Sequence, residues 1–471
     1  MTKKTMISSS NKKIIASLLF TASLFAQQTS SVKLWEVPIT QGQAMPLKEI
    51  KTQYSEEKVE WKNQIFIQPE ITFQKMEGIG GAFNEIGGEA LLSLKKEQQQ
   101  ELMRNLFAAD RAGFSFCRTA IGASDFGIDA YSYAMVPNDF KMEHFSIERD
   151  QKYVLPYLKS ALQENPALTL FASPWSPPGW MKLSGEMEGL KQKPNQLIDD
   201  SKIYKAYALY FVKYLEEYEK NGVKIDRICI QNENDANTKY PSCVFPAKEM
   251  VAFANDYLIP AFKKNRVKTA IYAGTFRAAL GMDVLDFTQC KNTKKLAGVG
   301  IQYTDSRLLT DAKTFMPNLK LFHTEGNCYN GENSIEQAKN RLEEVASYIN
   351  SGSTTFTYWN MILNETTKSG WDWTQNSLIN INRKTAEIQY NPDYNAMYII
   401  SKFIQPGDIR IASMNKGKYP MITVKSPEGT IKVLFQNTNP QDKTFEVTVN
   451  KKPFKLKLAA NAITALEITN Y

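Results

Sequence analysis

Histidine is almost absent from this sequence, since only His144 and His323 occur among 471 residues. A nucleophilic serine or cysteine needs a nearby base, most often histidine, and zinc sites are usually built from several histidine and cysteine side chains. The five cysteines, at positions 117, 229, 243, 290 and 328, contain no CxxC pair. The sequence therefore argues against a serine or cysteine hydrolase, and we expect no metal and no organic cofactor. A disulfide stays open, but we expect most cysteines to be free and buried.

Long hydrophobic runs are also lacking. An apolar run over residues 14–26 follows Lys3, Lys4, Lys12 and Lys13. It is too short to span a bilayer, which takes about 20 residues, and has the architecture of a secretory signal peptide over residues 1–26. A disordered or anchoring tail is the alternative. We expect a secreted or periplasmic protein with no membrane span in its mature form.

Charge of one sign is not concentrated anywhere in the chain. Without the four N-terminal lysines the formal net charge falls from +8 to +4, and the remaining basic residues are interleaved with acidic ones. Such interleaving is typical of a solvated surface. We therefore expect no nucleic-acid partner, and we expect a monomer.

The central part of the chain alternates between short apolar runs and amphipathic helices. The eight runs cover residues 78–83, 113–118, 168–172, 227–231, 269–273, 297–302, 319–324 and 354–359. One of the helices between the runs has an apolar face with helical spacing, formed by Tyr204, Tyr207, Ala208, Phe211, Val212 and Leu215. Eight such units predict an α/β fold, a (β/α)8 TIM barrel over residues 77–403.

The two ends of the chain have a period of two instead. Residues 32–76 alternate between apolar and polar side chains, and six further strand-like runs follow Pro406-Gly407. Turn signals such as Pro427-Glu428-Gly429 separate these runs. We predict a side antiparallel β-sandwich, built from residues 404–471 and joined by the N-terminal strands of residues 32–76.

A glycine-rich run, Glu77-Gly78-Ile79-Gly80-Gly81-Ala82-Phe83, could suggest a dinucleotide fingerprint. Phe83 stands where the third glycine of GxGxxG belongs, and no acidic residue ends a following strand in the expected frame. We therefore do not expect a dinucleotide-binding site here.

Two glutamates end strand-like runs of the predicted barrel. Glu233 follows the fourth run and Glu325 closes the seventh, so both side chains would project from the mouth that carries barrel active sites. Hydrolysis of a glycosidic bond with retention needs two carboxyl groups about 5–5.5 Å apart. Asn-Glu pairs at 84–85 and 364–365 are more typical of loops and caps. The strand-end position of Asn232-Glu233, matched by Glu325, favours a glycosidase, with Asn232 placed to hold a sugar hydroxyl.

Aromatic and charged residues near other strand ends fit the same chemistry. Trp175 and Trp180 lie in a proline-rich loop after the third run, and Trp359 and Trp373 lie near the eighth. Sugar rings stack on such faces, although the tryptophans could instead cap the barrel. Arg118 ends the second run, where it could donate to the nucleophile and lower its pKa. The loop just beyond it carries an acid, Asp125.

These residues together resemble glycoside hydrolase family 30, the family of glucosylceramidase and of bacterial and fungal β-1,6-glucanases. The resemblance runs from about Gln74 to the C-terminus. Its most specific runs are Gly80-Gly81-Ala82-Phe83, Arg118 to Phe126, Ser173-Pro174-Trp175 with Trp180-Met181-Lys182, Asn232-Glu233, Thr324-Glu325 with Cys328, and Ser401-Lys402-Phe403-Ile404. It implies a TIM barrel with a side β-sandwich from both termini, a retaining mechanism, Glu233 as acid/base and Glu325 as nucleophile.

The resemblance also implies further site residues. The subsite for the non-reducing sugar would be lined by Asp125, Trp175, Asn232 and Trp359, joined by Asn376. Trp373, an aromatic residue near the eighth run, is a further candidate for substrate binding.

Two departures stand out. Asn234 replaces the proline that commonly follows Asn-Glu, which should loosen that turn. Gln302-Tyr303-Thr304 replaces a His-aromatic-Tyr run, so that Tyr303 would take over the tyrosine's hydrogen bond to the nucleophile.

The predicted function is a secreted retaining β-glycosidase acting on a β-linked oligo- or polysaccharide, first of all β-1,6-glucan. An exo-acting β-glucosidase of the glucosylceramidase type, or a β-xylosidase or xylanase, is the alternative within the enzyme class, and the loop over residues 364–373 should decide between pocket and cleft. A catalytically inactive glycan-binding barrel is the alternative outside it, against which intact Glu233, Glu325 and Arg118 argue.

Overall fold

The computed structural model of the protein describes residues 31–189, 192–278 and 282–471. The predicted signal peptide, residues 1–26, lies outside the described residues. No helix in the described part of the chain is both long and apolar enough to cross a membrane. All five cysteines are free, and four of them are buried.

The strands are β1 (Ser31–Glu36), β2 (Lys48–Ile50), β3 (Gln64–Lys75), β4 (Gly78–Phe83), β5 (Phe116–Ala120), β6 (Thr169–Ser173), β7 (Arg227–Cys229), β8 (Ala270–Phe276), β9 (Gly298–Gln302), β10 (Leu321–Glu325), β11 (Thr355–Asn360), β12 (Ile362–Asn364), β13 (Ile379–Asn382), β14 (Glu387–Tyr390), β15 (Ile409–Asn415), β16 (Met421–Lys425), β17 (Ile431–Gln436), β18 (Lys443–Val449), β19 (Lys452–Leu458) and β20 (Ile463–Thr469). The α-helices are α1 (Glu85–Leu92), α2 (Lys96–Phe107), α3 (Glu148–Lys152), α4 (Val154–Glu164), α5 (Ser201–Lys220), α6 (Ala247–Phe253), α7 (Ile259–Lys264), α8 (Val284–Gln289), α9 (Ser306–Phe315), α10 (Ile335–Lys339), α11 (Arg341–Asn350) and α12 (Pro392–Phe403).

Strands β4 to β11 form one parallel sheet in the order β10-β9-β8-β7-β6-β5-β4-β11. Its two edges come together, because the amide of Gly326 donates to the carbonyl of Thr357 at 2.7 Å and that of Thr354 donates to Leu321 at 3.0 Å. Each of the eight apolar runs overlaps one of these strands. The predicted TIM barrel is therefore confirmed.

The helices cover the barrel with the apolar faces that their spacing predicts. Helix α5 begins after Asp200, whose side chain accepts a hydrogen bond from the amide of Lys202. Tyr207, Phe211 and Leu215 of the predicted apolar face are buried, because residues three and four apart share one face of a helix. The predicted helix is confirmed.

One end of the barrel interior is closed by aromatic side chains. Phe116, Tyr272 and Phe322 surround the guanidinium of Arg227, at 4.9 to 5.7 Å from their ring centroids. Arg227 is also paired with Glu77 at 2.6 Å. These residues lie at the amino-terminal ends of their strands, which leaves the carboxyl ends for chemistry.

The chain termini share a second, nine-stranded curled sheet in the order β19-β18-β3-β15-β16-β17-β20-β1-β2. It encloses its own apolar cluster, which includes Leu34, Ile67, Phe435 and Leu456. The predicted side module built from both termini is confirmed. One detail differs from an all-antiparallel arrangement: β3 lies between β15 and β18, and it runs parallel to β18.

A small sheet of β12, β13 and β14 was not predicted. It follows directly after the eighth barrel strand and brackets the loop over residues 365–378. Its strands have three or four residues each, too few for a periodic signal in the sequence. The sheet fixes both ends of the loop expected to shape the barrel mouth.

Candidate active site

Glu233 lies just beyond β7, where the backbone turns sharply. Its φ of +42° is in the left-handed region, which non-glycine residues seldom adopt. Its amide donates to the Thr275 hydroxyl at 3.0 Å. Tyr303, just beyond β9, also has a positive φ, of +46°. Backbone strain of this kind clusters at functional sites, where the surrounding structure holds it in place.

Glu325 ends β10, and both of its carboxylate oxygens have donors. Arg118 donates from Nη1 to Oε2 at 2.6 Å, and the Tyr303 hydroxyl donates to Oε1 at 2.8 Å. Burial raises the pKa of Glu325 above its usual value, while Arg118 and Tyr303 act in the opposite direction. The arginine contact expected from the sequence is present, but desolvation outweighs its effect on the pKa.

Arg118 joins Glu325 to the Asn232-Glu233 pair. This fully buried side chain donates from Nη2 to Asn232 Oδ1 at 2.6 Å and to the Ser173 hydroxyl at 2.7 Å. Its guanidinium lies 4.4 Å from the ring centroid of Trp175, which stacks on Trp359 at 5.0 Å. Residues from the second, third, fourth, seventh and eighth barrel strands thus meet around one cation.

Glu233 has a different environment from Glu325. Its Oε1 lies 3.1 Å from Arg277 Nη1 and 3.5 Å from Gln302 Nε2. Burial, reinforced by Glu325, raises the pKa of Glu233 to about 7, and Arg277 opposes this rise. Two carboxyl groups in unequal environments are the usual way in which a site separates an acid from a nucleophile.

Asp125 lies in the loop after β5 and is buried. Burial, and then Glu325 and Glu233, raise its pKa well above the usual value. Its Oδ1 makes no hydrogen bond within the described residues, and neither does the indole Nε1 of Trp359. Buried polar atoms are normally paired, so these two atoms are exceptions without a partner in the described part of the chain.

Asn376 and Trp373 make no hydrogen bond to Glu233 or Glu325 within the described residues. Asn376 is fully buried, and its Oδ1 accepts from the amides of Gly331 and Asn333 at 2.9 and 3.1 Å. Its Nδ2 donates to Gln337 at 2.9 Å, so its amide holds the loop after β10. Trp373 is 39% exposed at the mouth, with its ring centroid 6.2 Å from that of Tyr240.

Arg277, Asp235 and Tyr240 were not predicted as site residues. Arg277 follows β8 directly and donates from Nε to Asp235 Oδ1 at 2.6 Å. The pKa of the Tyr240 hydroxyl is raised by burial and then by the charges of Asp125, Glu233 and Glu325. The strand-end position of Arg277 was a usable signal, whereas nothing in the sequence marks Tyr240.

Comparison with known proteins shows the family of this chain. Residues 76–404 match the Glycosyl hydrolase family 30 TIM-barrel domain. The chain belongs to glycosyl hydrolase family 30. Putative glucosylceramidase 3 of Caenorhabditis elegans is 29% identical over 378 residues, which cover 75% of this chain and 71% of the relative. An endo-1,6-beta-D-glucanase of Neurospora crassa is 30% identical over 217 residues, which cover 45% of each chain.

Solved structures share the whole architecture of this family 30 chain. SrfJ from Salmonella typhimurium superposes with a TM-score of 0.84 at 22% identity, covering 93% of this chain and 99% of that one. The endo-β1,6-glucanase BT3312 superposes with a TM-score of 0.80, also at 22% identity and with the same coverage. At this identity the likeness shows the fold alone. The resemblance to family 30 inferred from the sequence is confirmed.

Proposed function

We propose that this family 30 protein is a secreted or periplasmic retaining β-glycosidase that hydrolyses β-glucosidic bonds, with β-1,6-glucan as its substrate. The main support for the proposal is that two strand-end glutamates have different hydrogen-bond partners and different environments. Glu325 is held by two direct donors, Arg118 and Tyr303. Glu233 lies beside it with a pKa raised to about 7. One glutamate is therefore suited to attack, and the other to carry a proton.

The proposed reaction is a double displacement. Glu325 attacks the anomeric carbon while protonated Glu233 gives its proton to the departing glycosidic oxygen, and a glycosyl ester on Glu325 results. In the second step Glu233, now a carboxylate, takes a proton from water as the water oxygen attacks the anomeric carbon. The ester bond breaks, Glu325 leaves as a carboxylate, and the sugar is released with its β configuration.

Asn232 would hold the sugar hydroxyl beside the reacting carbon. Its Oδ1 accepts from Arg118 at 2.6 Å and from Thr275 at 3.3 Å. These contacts fix the amide orientation, and its Nδ2 makes no hydrogen bond to the described residues. An amide donor fixed before substrate arrives costs little reorganisation when charge develops in the transition state.

The glycone subsite would consist of Asp125, Trp175 and Trp359. The stacked indoles offer an apolar face, while Asp125 Oδ1 and Trp359 Nε1 supply an acceptor and a donor with no competing partner in the described chain. Only 6% of Glu233 and 5% of Glu325 is exposed. Such burial supports a pocket that takes up one sugar ring and keeps water from the nucleophile.

The β-1,6 linkage is supported by the Neurospora crassa relative, which is named an endo-1,6-beta-D-glucanase. The test is a product profile on pustulan, laminarin, xylan and aryl β-glucosides. The proposal predicts release of gluco-oligosaccharides from pustulan and little from the other polymers. Preferential cleavage of xylan would replace the glucanase assignment by a xylanase or xylosidase, and glycan binding without any product would indicate an inactive barrel.

An exo-acting β-glucosidase of the glucosylceramidase type is the second candidate. Met135, Val136, Phe140 and Leu183 are exposed on the loops that follow β5 and β6, and therefore on the mouth side of the barrel. This apolar rim would suit the lipid tail of a glucoside. Glucosylceramide in detergent micelles belongs in the same panel, and faster turnover of this lipid than of pustulan would favour the second candidate.

Two variants test the residue roles. Glu325→Gln should lose nearly all turnover on every substrate, because no ester can form. Glu233→Ala should lose most of its activity on substrates with poor leaving groups. Its glycosylation rate should fall much less on an activated aryl glucoside, because that leaving group needs no proton. Near-normal turnover by Glu325→Gln, or equal losses of Glu233→Ala on both substrate types, would contradict the proposed mechanism.

A further inference from the structure

Arg277 and Asp235 are two charged residues at the barrel mouth to which the proposed mechanism gives no role. Asp235 lies two positions after Glu233, and Arg277 follows β8. The Arg277 guanidinium contacts both acids, with Nε 2.6 Å from Asp235 Oδ1 and Nη1 3.1 Å from Glu233 Oε1. Its side chain is 30% exposed and that of Asp235 only 14%, so bulk water screens this contact incompletely.

No other cation is in direct contact with Glu233 within the described residues. Arg118 also faces the site, but its hydrogen bonds go elsewhere, to Glu325 and Asn232 among others. The remaining titratable groups that face Glu233 are Glu325, Asp125, Asp235, Tyr240 and Tyr303. Arg277 is therefore the one positive charge in direct contact with the proposed acid, and Asp235 is the negative charge that holds it there.

We propose that Arg277 and Asp235 act as an opposed charge pair that sets the protonation of Glu233 during the two steps of the reaction. This inference rests on the proposed role of Glu233 as acid/base. The first step needs Glu233 with its proton, and the second needs it as a carboxylate. Arg277 stabilises the carboxylate left after the proton has gone to the leaving group. Asp235 offsets that charge, so that Glu233 can regain a proton before the next cycle.

The two residues act on Glu233 with opposite signs, and this gives a sharp test. Arg277→Met removes the favourable charge, so the pKa of Glu233 rises; Asp235→Asn removes the unfavourable one, so this pKa falls. The alkaline limb of the pH dependence of kcat/KM reports that pKa in the free enzyme. The midpoint of the alkaline limb should move to a pH about one unit higher in Arg277→Met and to a pH lower by a similar amount in Asp235→Asn. The full mature chain is assayed with gentiotriose, or with phenyl β-glucoside if the product profile indicates exo action.

Matched controls separate this effect from a general loss of charge. Arg266→Met and Asp256→Asn remove the same charges from exposed positions, on the connection that precedes β8 and on the helical segment before α7. Neither substitution should change the midpoint pH of the alkaline limb. Arg277→Lys keeps the charge and should hold the limb near its wild-type position, even if kcat falls because the guanidinium geometry is lost. It also supplies the decisive comparison if Arg277→Met does not fold.

The outcomes distinguish this inference from the proposed function. Suppose that Glu233→Ala shows the leaving-group dependence of an acid/base. If Arg277→Met and Asp235→Asn then shift the alkaline limb in the same direction, or leave it unchanged, the proposed role of the charge pair is wrong and the proposed mechanism stands. A limb that moves in Arg277→Lys as far as in Arg277→Met would also overturn it, because the charge would then not be the cause. If Glu233→Ala shows no leaving-group dependence, the acid assignment itself fails.

Discussion

At the scale of single residues, Tyr303 shows how one hydroxyl can position a nucleophile. It donates to Glu325 at 2.8 Å from a backbone with φ of +46°. Tyr303→Phe keeps the ring and removes this hydrogen bond. A hydrogen bond to a charged group contributes about 1.5–3 kcal/mol, so kcat/KM should fall by about 10- to 100-fold, as measured by steady-state kinetics.

The control for Tyr303→Phe is thermal unfolding. The melting temperature should change little, since the ring still fills its place. A loss of less than twofold in kcat/KM would show that Arg118 alone is sufficient to hold the nucleophile.

The protonation of Glu233 also predicts the pH dependence of the wild-type enzyme. Glycosylation needs the protonated acid, and burial raises the pKa of Glu233 to about 7. Because the active form is lost as pH rises through this value, kcat/KM should decline with a midpoint near pH 7 on the alkaline side. The acid limb should reflect Glu325, whose pKa is also raised from its usual value. A profile that is flat from pH 6 to pH 9 would contradict the acid assignment.

The sequence identified candidate site residues where they lie at strand ends or carry the family resemblance. Glu233, Glu325 and Arg118 could be found because barrel strands place their last side chains at one mouth. Tyr240 could not, since it lies in a long loop whose path no periodicity reveals. Asn376 shows the reverse case: its type and position resembled a sugar ligand, yet its amide is occupied by the backbone of the loop after β10.

At the scale of elements, a buried ion pair connects two helices to the loop that follows Glu325. Arg341 at the start of α11 donates to both oxygens of Asp393 in α12, at 3.0 and 3.2 Å, and to the carbonyl of Asn327 at 2.9 Å. Asn327 lies two residues beyond Glu325. This pair therefore fixes the segment that leaves the strand carrying the nucleophile.

Asp393→Ala should lower the free energy of unfolding by about 1.5–3 kcal/mol, because it removes one of the two carboxylates that pair with the buried Arg341, and Glu344 remains as the other. Urea unfolding measures this loss. The matched control is Glu336→Ala, whose side chain is 82% exposed and pairs with Lys339. Its effect should be at most about 0.5 kcal/mol. Equal effects of the two substitutions would contradict the structural role given to Asp393.

The elements themselves were predicted with unequal success, for physical reasons. Buried parallel strands give continuous apolar runs, and all eight were found in this way. The sequence could not predict which strands pair with β3, since a half-buried strand can pair with any complementary edge. Its parallel pairing with β18 depends on how the whole sheet curls.

At the scale of the whole molecule, the curled sheet and the barrel pack on each other. Ile422, Leu434 and Ile463 of the curled sheet belong to the same apolar cluster as Tyr394 and Met397 of α12. The amide side chain of Asn350, at the end of α11, also donates to the carbonyl of Met421 at 2.9 Å. C-terminal strands of the curled sheet thus support the helices that lie behind the last two strands of the barrel.

This arrangement gives the two proposed catalytic groups different supports. Glu325 is fixed through Arg118 and Tyr303, and through a loop anchored on α11 and α12. Glu233 is fixed by its own turn after β7 and by Arg277 after β8. The proposed nucleophile and the proposed acid/base thereby have different direct partners, while Arg118 connects them through Asn232.

The most direct test of this account is covalent trapping of the glycosyl enzyme. A 2-deoxy-2-fluoro-β-glucosyl fluoride slows both steps but carries a good leaving group, so the ester should accumulate and be detectable by mass spectrometry of the intact protein and its peptides. We expect one added 2-fluoroglucosyl group, located on Glu325 and released on transfer to a sugar acceptor. A label on Glu233 or on any other residue, or hydrolysis of the fluoride with inversion and no label, would contradict it.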